Sequence, residues 1–259
     1  MNGNIKNILN KKNKSKLVCL TAYSKNIASI LDNHCDIILV GDSLGSVLYN
    51  YKSTKEVTLD TMINHSKSVR LGVKKSLMVV DMPFNTYRNP KEALKNAKLV
   101  MRETKCDAVK LEGGKKIIPI VKQLVKNKIP VMGHVGILPQ TDKKFRFKGK
   151  KQKESEKILN DTKLLENAGV FSIVLECIEI KLSKKITEQI KVPTIGIGSS
   201  VNCDGQVLVI DDLIGLSKSK FKFVKKYVDM AKIIEGAVKR YKLEVLKKKF
   251  PKVKHSFKN

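Results

Sequence analysis

The chain has 259 residues, 42% hydrophobic and 29% charged, with a net charge of +28. That apolar fraction supports a sizeable core and excludes disordered and collagen-like chains; no run of ~18 apolar residues marks a membrane span, and the Lys- and Asn-rich start over 1–16 lacks a signal peptide's apolar centre, so a cytoplasmic protein is expected. The charge invites a nucleic-acid partner, yet of the 52 basic residues only Arg70, Arg88, Arg102, Arg146 and Arg240 carry the bidentate fork that such readers favour, and the lysines are spread over nearly every segment, so none is expected.

In chain order, short β-branched runs alternate with stretches of helical periodicity, the pattern of parallel βα units. Strands are expected over 17–21, 36–40, 76–80, 108–111, 130–133, 171–175, 194–197 and 206–210. Helices are expected over 25–33, 59–71, 91–104, 116–127, 153–168, 181–190 and 221–241. Asn89-Pro90 opens a helix with proline in its first turn, and Gly72 and Gly169 stand where helices stop. The strands are near-continuous apolar runs, as burial on both faces requires. Eight of them without a dividing linker favour a closed (β/α)8 TIM barrel over an open doubly wound sheet, with 1–259 as a single domain. One connection, at about 135–153, is long enough to suggest function. The five cysteines (Cys19, Cys35, Cys106, Cys177, Cys203) contain no C-x-x-C pair and read as buried thiols in a reducing compartment.

The chemistry collects where strands end. The second strand ends in Gly41-Asp42-Ser43-Leu44-Gly45, the third in Asp81-Met82-Pro83, the fourth in Lys110-Leu111-Glu112-Gly113-Gly114 and the sixth in Glu176-Cys177. In a barrel that end forms the active site. Residues two apart on a strand share a face, so Lys110 and Glu112 point the same way, and a lysine facing the barrel axis needs a nearby anion. Asp42, Asp81 and Glu112 come from consecutive strands about 4.8 Å apart and can converge on one cation. Crowded carboxylates raise one another's pKa unless a cation neutralises them, and an all-oxygen donor set favours Mg²⁺ over zinc. Taken one at a time, such acids also serve as helix caps or solvated loop residues. His134, in Gly133-His134-Val135-Gly136, is the one histidine on this rim and reads equally as orienting or structural. The Gly196-Ile197-Gly198-Ser199-Ser200 run reads as a phosphate cradle or as a tight turn.

Taken in order, these rim motifs resemble the ketopantoate hydroxymethyltransferase family. The likeness runs through Leu20-Thr21-Ala22-Tyr23, the Gly41–Gly45 motif, Val79-Val80-Asp81-Met82-Pro83-Phe84, Val109-Lys110-Leu111-Glu112-Gly113-Gly114, Gly133-His134-Val135-Gly136, Val174-Leu175-Glu176-Cys177, Pro193–Gly198 and Asp204-Gly205-Gln206-Val207-Leu208-Val209, nearly the whole chain. The resemblance implies a barrel of the phosphoenolpyruvate/pyruvate type. It implies transfer of a one-carbon unit from 5,10-methylenetetrahydrofolate to 3-methyl-2-oxobutanoate, giving 2-dehydropantoate on the way to coenzyme A. It further implies Mg²⁺ held by Asp42, Asp81 and Glu112, substrate contacts from Asp42, Ser43, Asp81 and Lys110, Glu176 as proton acceptor, and a homo-oligomer, a decamer. The chain departs from the family in Lys143-Lys144-Phe145-Arg146-Phe147-Lys148-Gly149-Lys150 and in Ser199-Ser200. Both lie around the expected rim and bear on folate binding and loop closure more than on the metal chemistry.

Overall fold

The computed structural model describes residues 3–142, 146–219 and 221–257. Two compact units divide the chain, Met1–Val209 and Ile210–Asn259. The first carries α1 (Gly3–Asn10), β1 (Leu17–Thr21), α2 (Lys25–Leu31), β2 (Ile37–Val40), α3 (Leu44–Tyr49), α4 (Leu59–Arg70), β3 (Leu77–Asp81), α5 (Pro90–Thr104), β4 (Ala108–Glu112), α6 (Ile118–Lys126), β5 (Val131–Gly136), α7 (Gln152–Asn167), β6 (Ser172–Glu176), α8 (Ile180–Gln189), β7 (Thr194–Ile197) and β8 (Gly205–Leu208). The second carries α9 (Ile210–Leu213) and α10 (Met230–Leu246). Among the described residues no helix is long and apolar enough to cross a membrane.

All eight strands are parallel and close in sequence order, β8 returning to pair with β1. The expected (β/α)8 barrel is therefore the observed one. Its interior follows from alternation: Cys19, Leu39, Val79, Ala108, Met132, Val174, Ile195 and Val207 point inward and pack as one apolar layer. Two residues further along β3, β4, β5 and β6, the same inward face presents Asp81, Lys110, His134 and Glu176. The fold thus sets a polar rim directly above an apolar floor.

At the opposite end, α1 lays Ile5 and Ile8 against that floor, with Leu9 beside them. Just beyond this helix, Lys12 Nζ reaches Asp204 Oδ2 at 2.8 Å, and Asp204 also accepts from the Thr194 amide at 2.8 Å. Asp204, the first residue of the last quoted motif, is therefore a tie between the N-terminal segment and β7, and sits away from the rim.

Helix boundaries follow capping chemistry. The Asn89 side chain accepts from the Glu92 amide at 2.9 Å with Pro90 in the first turn, as expected. Two expectations need correction. The last strand stops at Leu208 because Ile210 already begins α9, and the helix expected over 221–241 starts only at Met230, where Asp229 supplies the cap by accepting from the Lys232 amide. No helix intervenes between β7 and β8.

Candidate active site

Register brings the charged rim together. Asp81 pairs with Lys110 across β3 and β4, Glu112 with His134 across β4 and β5, and Gly136 with Glu176 across β5 and β6. The resulting ladder alternates in sign. Lys110 Nζ lies 3.2 Å from Asp81 Oδ1, His134 Nδ1 3.5 Å from Glu112 Oε1, and His134 Nε2 3.2 Å from Glu176 Oε2. Lys110 Nζ also stands 3.4 Å from His134 Nδ1. The Lys110 side chain is only 6% exposed, so its ammonium depends on these carboxylates for compensation.

Two backbone features fix this rim. Gly136 has φ +103, and a Cβ there would stand 2.1 Å from the Glu176 carbonyl oxygen, so only glycine lets β5 and β6 approach at this point. Cys177 takes φ +49 immediately after Glu176, turning the chain out of the barrel at the carboxylate. The Gly114 position has a different neighbour: a Cβ there would fall 2.1 Å from Asp161 Cγ, and Asp161 from α7 accepts from the Lys115 amide at 2.8 Å.

Asp42 and Asp81 join through backbone, the Asp42 amide donating to Asp81 Oδ2 at 3.1 Å. Gln140, in the loop after β5, donates its side-chain amide to Asp42 Oδ2 at 2.8 Å and its backbone N–H to Glu112 Oε2 at 3.1 Å. Neither Gln140 nor Tyr87, whose hydroxyl donates to Gln140 Oε1, is marked by residue type or spacing in the sequence. Ser43 Oγ is hydrogen-bonded to Tyr23 OH at 2.8 Å, so its neighbour too became visible only in the fold. Ser199 Oγ donates to the Leu175 carbonyl at 2.7 Å and accepts from the Ile178 amide at 3.1 Å, which ties the Gly196 run to the end of β6. The departing loop segment falls partly on 143–145, outside the described residues; its tail is anchored by Lys148 Nζ on Asp142 Oδ2 at 2.9 Å and by the Lys148 amide on the Cys177 carbonyl at 2.8 Å.

Electrostatics follow from the crowding. Burial, then the charges of Asp81 and Glu112, push the Asp42 carboxyl well up. Burial also raises Asp81, with Lys110 opposing. Glu112 goes the other way, because hydrogen bonding and charge from His134, with Lys110, outweigh its burial. For His134, burial and Lys110 act downward, yet Glu112 and Glu176 bring it up to about 9. The same anions hold Lys110 charged against its burial.

Among the described residues no three His, Cys, Asp or Glu side chains stand assembled as a finished metal cage. The donors nevertheless fit a hard divalent cation. They are all carboxylate oxygens, Asp42 is raised by burial together with the charges of Asp81 and Glu112, and the buried Asp81 Oδ1 has no hydrogen-bond partner, Lys110 facing it out of alignment.

The ordered rim agrees with what sequence comparison finds: residues 3–253 match the family described as ketopantoate hydroxymethyltransferase. The chain belongs to that family. A 3-methyl-2-oxobutanoate hydroxymethyltransferase of Pelagibacter ubique is 66% identical over 257 residues, spanning 99% of this chain and all of the relative. Among solved structures, a phosphonopyruvate hydrolase in complex with oxalate and Mg²⁺ superposes with TM-score 0.61 at 10% identity, covering 97% of this chain and 93% of that one. A 2,3-dimethylmalate lyase of the PEP mutase/isocitrate lyase superfamily gives 0.55 at 12% identity over 75% and 72%. At such identity the two solved proteins share the fold with this family member, and the family membership rests on the sequence match.

Proposed function

We propose that this chain transfers a hydroxymethyl group from 5,10-methylenetetrahydrofolate to 3-methyl-2-oxobutanoate, forming 2-dehydropantoate and tetrahydrofolate. Family membership supports the activity, and the observation that carries its chemistry is the alternating rim, with Lys110 beside Asp81 and Glu176 beside His134. Asp42, Asp81 and Glu112 would hold Mg²⁺, which when bound supplies Lewis acidity toward the keto oxygen of the substrate.

The chain's own residues do the rest. The Lys110 ammonium, kept charged by the surrounding carboxylates, pairs with negative charge as it develops on the substrate oxygen. Ser43, held by Tyr23, and the Asp42 and Asp81 carboxyls, joined through the Asp42 amide, orient the substrate. Glu176 stands on the far side of His134 from Glu112 and is free of the metal set, so its carboxylate accepts the proton from carbon 3. The C–H electron pair moves into the enolate. Water releases the folate's methylene carbon as formaldehyde, both carbon–nitrogen bonds breaking as the two nitrogens take up the water's protons; carbon 3 then bonds to the formaldehyde carbon, and the new alkoxide takes the proton held by Glu176.

The homo-oligomer, a decamer, that the resemblance implies is part of this reading. Five buried free cysteines support a reducing, cytoplasmic setting.

The test is the proton NMR signal at carbon 3 of 3-methyl-2-oxobutanoate in D₂O, with enzyme and Mg²⁺, before and after methylenetetrahydrofolate is added. Metal-dependent loss of the signal followed by product formation is expected. No exchange and no product under either condition would remove this substrate and turn attention to other 2-oxo acids.

A further inference from the structure

Gln140 is only 1% exposed and every polar atom of its side-chain amide is committed. One amide nitrogen donates to Asp42 Oδ2 at 2.8 Å and to the Met82 carbonyl at 3.0 Å, while the amide oxygen accepts from the Tyr87 hydroxyl. This pattern fixes which end of the amide faces Asp42, since the Met82 carbonyl bound by the same nitrogen can only accept. The same residue's backbone N–H donates to Glu112 Oε2 at 3.1 Å, and Asp42's own N–H donates to Asp81 Oδ2 at 3.1 Å. Each of the three carboxylates therefore has one oxygen tied to a protein N–H, two of the three ties coming from Gln140. That leaves Asp42 Oδ1, Asp81 Oδ1, which faces the Lys110 ammonium at 3.2 Å, and Glu112 Oε1, which faces His134 Nδ1 at 3.5 Å, as the oxygens outside these ties.

Denticity separates the two common hard cations. Mg²⁺ demands a small, nearly ideal octahedron and retains water, which suits one oxygen per carboxylate; Ca²⁺ accepts six to eight oxygens at longer range and takes carboxylates bidentately. We propose that Gln140, steadied by Tyr87, is a positioning residue that ties up one oxygen each of Asp42 and Glu112, disfavours bidentate coordination by them, and so sets the preference of the site for Mg²⁺ over Ca²⁺. The inference rests on the reading above that these three carboxylates hold the cation. Released from Gln140, Asp42 can offer both oxygens, and the larger ion gains relative to the smaller.

The experiment measures cation binding without turnover. The full chain, stripped with a chelator, is titrated with Mn²⁺, whose solution EPR signal falls as it binds, and the Mn²⁺ is then displaced with Mg²⁺ or with Ca²⁺. Four proteins are compared: wild type, Gln140→Met, Tyr87→Phe and Asp81→Ala. Gln140→Met keeps the length of the side chain and the backbone donor to Glu112 but loses the tie to Asp42. The ratio of Mg²⁺ to Ca²⁺ affinity is expected to fall by roughly 10-fold or more in Gln140→Met, the size typical of losing a residue that orients a ligand, and less in Tyr87→Phe. A general loosening of the fold would weaken both ions together and leave the ratio alone. A wild-type ratio in Tyr87→Phe and in folded Gln140→Met, with Mn²⁺ still bound, overturns the role of Gln140; if Gln140→Met does not fold, the Tyr87→Phe ratio alone decides. Mn²⁺ binding that is absent from wild type, or unaffected by Asp81→Ala, instead overturns the cation site itself.

Discussion

His134 stands between Glu112 and Glu176, with Nδ1 3.5 Å from one carboxylate and Nε2 3.2 Å from the other. These two carboxylates bring its pKa up to about 9, and it separates the one proposed to hold the metal from the one proposed to take the proton. The Nε2 contact is close but not aligned as a hydrogen bond.

Glu176→Gln keeps the shape of the side chain and removes its basicity. Exchange at carbon 3 in D₂O should slow by about 10²–10⁴-fold while Mg²⁺ and substrate still bind. His134→Gln should slow the same exchange by a smaller factor, because it disturbs the charge beside the base and leaves the base in place. Exchange at the parental rate in Glu176→Gln would move the base elsewhere.

Asp81 is the acid with a buried oxygen lacking a hydrogen-bond partner, and Lys110 faces that oxygen. A chelator should abolish wild-type turnover, and added Mg²⁺ should restore it. Asp81→Ala should show no turnover at any Mg²⁺ concentration, measured as 2-dehydropantoate formed. Wild-type activity in that variant would dismantle the metal assignment.

A purely structural carboxylate gives a pH signature. Asp32 accepts from the backbone amides of Lys74, Lys75 and Ser76 at 2.9–3.0 Å. Burial acts to raise its pKa, but these donors outweigh it and the net shift is downward. A depressed carboxylate stabilises the fold fully above its unfolded pKa of about 3.9, and that contribution is lost as pH falls through the folded value. Asp32→Asn should therefore cost about 1–3 kcal/mol at pH 7, and the gap from wild type should narrow below about pH 4. Urea unfolding across pH 3–7 checks this, and a gap constant with pH would show that the charge contributes nothing.

The sequence by itself determined the eight strands, the barrel and the rim acids, because strand periodicity is local and the end of a strand is readable from the residues that follow it. Asp42, Asp81, Lys110, Glu112 and Glu176 were legible for that reason, each placed by its own strand. Helix α1 left a readable trace, the Ile5, Ile8, Leu9 spacing, within a stretch that otherwise reads as a polar tail. Only the tertiary structure decided which side chains meet. Gln140 and Asp42 are 98 residues apart, and Tyr87 reaches Gln140 across 53. Contacts between loops arise from closure of the barrel, which brings separate strand ends to one rim, and no pattern within a single segment encodes a partner so distant in the chain. The chemistry was therefore visible as an inventory of residues, while its order, with one oxygen of each of three carboxylates tied to a donor and His134 between Glu112 and Glu176, exists only after folding.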